Sequence, residues 1–141
     1  MFGDPVTNPK GWLQECLDSH IDVLTGFPFD SSEYVASGIK ICGGLIIMPD
    51  RIAWENCKFW ANSDTYSEYL LAAHDIVVAL DRPWIADGFK IGMISQSDLP
   101  CLLIQRTARV RGKDVNQKLL GKNKDLYLKK SLASIYYGKG L

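Results

Sequence analysis

The chain has 141 residues, 47% hydrophobic and 23% charged, which suits one folded domain over residues 1–141 and excludes a disordered, collagen-like or coiled-coil chain. Its 16 basic and 16 acidic side chains cancel, so net charge alone selects no partner. No apolar run approaches the roughly 20 residues needed to span a bilayer.

Along the chain, Gly3 to Gly11 reads as an extended lead-in rich in Pro, Asn and Gly. From Trp12 to Leu24 the apolar residues Leu13, Cys16, Leu17, Ile21 and Leu24 recur at three- and four-residue steps, which predicts a short helix. Ser31 or Ser32 is expected to cap a helical turn through Val35. Phe27-Pro28-Phe29 is read as a core anchor rather than an intercalating wedge. Ile39 to Met48 predicts a strand with a bulge or a close backbone approach at Gly43-Gly44. Ser63 and Asp64 offer caps for a helix ending near Leu70, and His74 to Leu80 reads as a buried strand. Phe89 to Ser95 and Cys101 to Val110 predict two more strands joined by a turn from Gln96 to Pro100. Lys124 to Tyr137 has the spacing of an amphipathic helix. Mixed elements in this order indicate an α+β fold with a twisted, mostly antiparallel sheet and a few short helices.

The charges are unevenly placed. Residues 1–105 hold 6 Lys/Arg against 14 Asp/Glu, and residues 106–141 hold 10 against 2, a net −8 and +8. The basic end is either a phosphate-facing surface or a set of cations paired with the acidic part.

Reactive constellations are scarce. There is no Gly-x-Ser-x-Gly elbow, no phosphate loop and no Gly-x-Gly-x-x-Gly turn. Cys16, Cys42, Cys57 and Cys101 form no Cys-x-x-Cys pair and stand apart from His20 and His74, so reduced, mostly buried thiols and no metal site are expected. Pro49-Asp50 followed by Glu55 and Lys58 is reminiscent of a magnesium-dependent nuclease, but two residues separate Glu55 from Lys58 where one is needed. The opening Met1-Phe2-Gly3-Asp4-Pro5 lacks the parts of a secretory signal, so a cytoplasmic protein is expected.

Five stretches, in order, resemble the target recognition domain of type I restriction-modification specificity subunits. They are Phe2-Gly3-Asp4-Pro5-Val6-Thr7-Asn8-Pro9-Lys10-Gly11-Trp12, then Gly26-Phe27-Pro28-Phe29-Asp30-Ser31-Ser32-Glu33-Tyr34, then Gly43-Gly44. The fourth is Asp75-Ile76-Val77-Val78-Ala79-Leu80-Asp81-Arg82-Pro83-Trp84-Ile85, and the last runs from Asp98-Leu99-Pro100-Cys101 through Gln105-Arg106-Thr107-Ala108-Arg109-Val110. The resemblance implies a non-catalytic reader of one half of a bipartite double-stranded DNA target. Its partners would be methyltransferase (modification) subunits and a restriction subunit that translocates and cuts, with no membrane involved. The chain itself would need no cofactor; S-adenosylmethionine, ATP and Mg would serve the partner subunits. Such subunits carry two recognition domains joined by long spacer helices, so a fragment, an engineered excision or a naturally split subunit is the expectation here.

Sequence-specific binding needs cations for phosphates and forked side chains for base edges. The candidates are Arg82, Lys90, Gln105, Arg106, Arg109, Arg111, Lys113 and Lys118. Arg82 sits in a proline-stiffened loop, where a salt bridge to Asp81 or Asp87 is its alternative. Trp84 is read as packing on the sheet. On a regular strand Gln105, Arg109 and Arg111 would share one face and Arg106 the other. The competing functional reading is a protein-interaction module that docks on the methyltransferase subunit without reading DNA.

Overall fold

Ile76-Val77-Val78-Ala79 is apolar at every position because this strand is covered on both faces and lies inside a sheet. The structure is a computed structural model that describes residues 20–49, 51–62 and 64–113. Its strands are β1 (Ile21–Thr25), β2 (Ile39–Cys42), β3 (Lys58–Trp60), β4 (Ile76–Ala79), β5 (Trp84–Ile85), β6 (Gly88–Phe89), β7 (Ile91–Met93), β8 (Cys101–Leu103) and β9 (Thr107–Gly112). A four-stranded antiparallel sheet has the order β1-β9-β4-β7. A second sheet, β3-β2-β8, contains one parallel pair, β2 with β8. β5 and β6 form a small hairpin. Short 3-10 turns lie at Ser31–Glu33, Trp54–Asn56, Ser67–Tyr69 and Gln96–Asp98. The architecture is the sheet-rich α+β arrangement expected.

Alternation along the strands sorts the core into layers. Ile76, Val78 and Val110 meet Ile21, Phe89 and Ile91 on one face of the four-stranded sheet. Val77 and Ala79 face the other way, onto Cys42, Ile47, Cys101 and Leu103. Leu102, of opposite parity in β8, enters a third cluster with Phe29, Ile39, Ile41 and Trp60, fringed by Phe27, Tyr66 and Tyr69. Phe27 and Phe29 therefore anchor the core, with ring centroids 5.0 Å apart and Phe29 4.8 Å from Trp60. Each fully buried Ile, Leu or Val contributes about 1.5–3 kcal/mol.

Several elements differ from the sequence expectation. Ile21 to Leu24 is not helical: these residues form the edge strand β1, in register with β9 from Ile21 opposite Gly112 to Thr25 opposite Ala108. Three of its five residues are β-branched, and cross-strand pairing outweighs the helix-like spacing; Trp12 to Ser19 lie outside the described residues. Asp30, not a serine, caps the turn at Ser31–Glu33, accepting from the Ser32 N–H at 2.9 Å. That bond holds the Asp30 carboxyl below its ordinary pKa. The helix expected to end near Leu70 is only the turn Ser67–Tyr69. β2 stops at Cys42, and Gly43 follows where a Cβ would come within 2.9 Å of the Ile104 side chain. The expected strand from Phe89 to Ser95 is divided at Lys90 between the hairpin and the four-stranded sheet. The expected strand from Cys101 to Val110 is likewise two strands in two sheets. The tail from Lys124 to Tyr137 lies outside the described residues.

Cys42 and Cys101 are free and buried, and Cys57 is free and partly exposed. Glu55 is engaged by Arg51, and Asp50 lies outside the described residues. Among the described residues no helix is long and apolar enough to cross a membrane.

Candidate nucleic-acid interface

The crossing between the two sheets builds the most exposed cationic cluster of the candidates described. The chain leaves β8 at Leu103, turns at Gln105-Arg106 and enters β9 at Thr107. Gly26 lies against this crossing, where a Cβ would sit 1.9 Å from the Ile104 carbonyl oxygen, so only glycine fits. The Gln105 N–H donates to the Phe27 carbonyl at 2.9 Å, and the Leu80 N–H donates to the Arg106 carbonyl at 2.8 Å. The second bond ties the crossing to the Asp81-Arg82-Pro83 loop. That loop is in turn stitched to the sheet, because the Lys90 N–H donates to the Pro83 carbonyl at 2.7 Å and the Ala79 N–H to the Lys90 carbonyl at 3.1 Å.

Two arginines at this end hold left-handed backbone, Arg82 with φ 50° and Arg106 with φ 63°. For a residue with a Cβ this costs about 1–2 kcal/mol, and the surrounding hydrogen bonds sustain it. Arg82, Gln105 and Arg106 are all exposed. Arg106 Nη1 lies 3.4 Å from the Asp81 carboxylate, with the two side chains 74% and 57% exposed; such a pair contributes about 0–1 kcal/mol. No ion pair engages Arg82 among the described residues. Lys90 is buried behind the loop: burial lowers the pKa of its ammonium, Asp81 opposes that shift and Arg82 adds to it. Trp84 does not bury itself against the sheet as expected. It is 43% exposed and meets the buried Phe89 edge-on, with centroids 4.8 Å apart.

At the other end of β9 the arginines are held by acids. Arg109 is 6% exposed, and its Nη2 donates to Asp22 at 2.9 Å. Its buried Nε has no hydrogen-bond partner. Arg111 grips both oxygens of buried Asp75, at 2.6 and 2.8 Å, and this pairing raises the guanidinium's already high pKa. Asp75 also accepts from the Ala72 N–H at 2.7 Å. Register explains the meeting, since Asp22 lies directly across from Arg111 and Leu24 from Arg109, putting both arginines on the Asp22 face. Lys113 is exposed, with its backbone N–H on the His20 carbonyl at 2.8 Å. At about 3.3 Å per residue, Thr107, which follows Arg106, and Arg111 are roughly 13 Å apart along the strand. Lys118 lies outside the described residues.

The structure thus gathers Arg82, Gln105 and Arg106 with Lys90 behind them, and sets Arg109, Arg111 and Lys113 apart. Gln105 and Arg106 occupy a turn rather than a strand, so the face parity expected from alternation does not govern them. Sequence reasoning missed Asp22 and Asp75 as the partners of Arg109 and Arg111, because finding them requires the β1-β9-β4 register. It also missed Asp81 as the partner of Arg106, although its adjacency to Arg82 was a usable signal.

No protein-family model matches the chain. The chain is 35% identical over 109 residues to the EcoAI type I restriction enzyme specificity subunit of Escherichia coli, a match covering 76% of this chain and 18% of that protein. It is 32% identical over 103 residues to the MjaVIII type I restriction enzyme specificity subunit of Methanocaldococcus jannaschii, covering 72% of this chain and 24% of that protein. The chain therefore spans 18% and 24% of the lengths of these two relatives. The crystal structure of the HsdS subunit from Thermoanaerobacter tengcongensis shares its fold, with a TM-score of 0.58 over 87% of this chain and 29% of that one at 18% identity. The sequence likeness to type I restriction enzyme specificity subunits thus extends over most of this chain and a part of theirs, and the fold is shared with a solved HsdS subunit.

Proposed function

We propose that this chain reads one half of a bipartite double-stranded DNA target and directs modification and restriction subunits to it, in the cytoplasm and without catalysis of its own. S-adenosylmethionine, ATP and Mg are then used by the partner subunits. The observation that carries the reading is the exposed group Arg82, Gln105 and Arg106, held on hydrogen-bonded turns in a chain whose relatives are specificity subunits. A guanidinium can fork onto the O6 and N7 of guanine, and a glutamine amide onto the N6 and N7 of adenine. Their backbones are pinned while their tips are in solvent, so they can reach a groove without reordering the fold. Lys90 supports the loop from behind, Arg109 and Arg111 hold the sheet that positions it, and Lys113 stands apart at the far end of β9.

Methylome sequencing of cells carrying the complete system tests this. Replacing this segment by that of a system with a different target moves one half of the methylated site and leaves the other unchanged. A methylated site that ignores the replacement contradicts DNA reading and favours a docking module.

A further inference from the structure

An acid stands among these cations. The Asp81 carboxylate is 3.4 Å from Arg106 Nη1 and acts on Lys90, whose ammonium Arg82 also repels. For a surface that meets phosphate this placement is unfavourable. The carboxylate repels phosphate oxygens and neutralises an arginine that would hold one. A site shaped for affinity alone would be better without it.

We propose that Asp81 is a specificity-determining residue of the DNA site, holding Arg106 back from duplexes that offer only phosphate and releasing it to a matching base edge. This rests on the DNA-reading function proposed above. The pair suits such an exchange. It is exposed on both sides and longer than the 2.7–2.9 Å typical of a strong charge-assisted bond. The Arg106 backbone is held separately by Leu80, so the guanidinium changes partner without disturbing the turn. On a non-matching duplex, opening the pair gains one phosphate contact and leaves a carboxylate facing the DNA backbone. On a matching duplex, a forked contact to a base offsets that repulsion. Discrimination then comes from a penalty on the wrong partner as well as a reward for the right one.

The test uses the full chain in its complete restriction-modification complex and two duplexes of equal length. One carries the site that the wild-type system methylates, the other a scrambled sequence, and both are titrated over about 50–200 mM salt. Asp81→Asn is expected to tighten binding to the scrambled duplex roughly three- to tenfold and to the true site less than about twofold, eroding discrimination. The log–log salt slope on scrambled DNA steepens by about 0.9, one additional phosphate. In the Arg106→Ala background the same substitution no longer steepens the slope. An unchanged thermal melt of Asp81→Asn shows that the fold is intact. If the wild-type complex discriminates while Asp81→Asn weakens both duplexes equally with no change of slope, Asp81 is only a brace and the proposal is overturned, with DNA reading left standing. A wild-type complex that does not discriminate overturns DNA reading itself, and this proposal with it.

Discussion

The two ends of β9 carry the same residue type in opposite circumstances. At the start, Arg106 sits on a left-handed turn with a long, solvent-screened contact to Asp81. Further along, Arg109 and Arg111 are paired with Asp22 and Asp75, the latter buried and gripped through two bonds. An arginine's usefulness to a ligand depends on what would be lost by moving it. Arg106 can leave its partner at little cost, whereas withdrawing Arg111 would strand a buried carboxylate. The strand thus carries structural cations and available cations a few residues apart.

Substitutions can break this contrast. The largest effect is expected from Asp75→Ala, which leaves Arg111 unpaired and the Ala72 N–H without its acceptor. It should lower unfolding free energy in a urea titration by about 2–3 kcal/mol, less than the roughly 3–5 kcal/mol for a wholly buried pair, because the Arg111 side chain is still 37% exposed. The folded fraction should keep its choice of DNA site. Arg82→Ala should do the reverse, leaving the urea midpoint in place while weakening binding to the true site by about 1–3 kcal/mol. Equal loss of stability in both variants would erase the distinction between the two ends.

A smaller effect sharpens the backbone side of the comparison. Because Arg106 has φ 63°, Arg106→Gly should be more stable than Arg106→Ala by about 1 kcal/mol, although both remove the same guanidinium from DNA. Similar melting temperatures for the two would mean that the turn relaxes out of its left-handed conformation.

A separate, pH-dependent effect lies in the core between the sheets, away from both ends. Burial raises the Cys101 thiol from 9.0 to about 12. The unfolded chain therefore loses this proton first, and the stability present below the unfolded pKa is lost as pH rises through 9 toward 12. Urea midpoints measured upward from about pH 8 should fall less steeply in Cys101→Ala than in the wild type.

Much of the frame was legible in the chain. The run from His74 to Leu80 announced a buried strand, found at Ile76–Ala79, and Phe27-Pro28-Phe29 announced an aromatic anchor. What local pattern could not convey was register and crossing. Ile21 to Leu24 has spacing that a helix accepts, yet pairing with β9 makes it a strand. The apolar residues from Cys101 to Val110 suggest one strand, but the Gln105-Arg106 turn sends its halves into different sheets. The candidate site was legible as a list of basic and amide side chains. Which of them stay exposed was not, because Arg109 and Arg111 are closed by acids 87 and 36 positions away. Trp84 was misread for a related reason: its hairpin exposes part of the ring that an apolar residue after a core strand would be expected to hide.

The central claim is that the crossing end of β9, rather than its far end, faces DNA. Paired titrations of the complete complex carrying Arg106→Ala or Lys113→Ala against its own methylation site test this most directly, since both side chains are exposed. Arg106→Ala should weaken binding about 10- to 100-fold and reduce preference over scrambled DNA, while Lys113→Ala should change affinity less than about threefold with preference intact. A large loss from Lys113→Ala beside an unaffected Arg106→Ala would contradict the account.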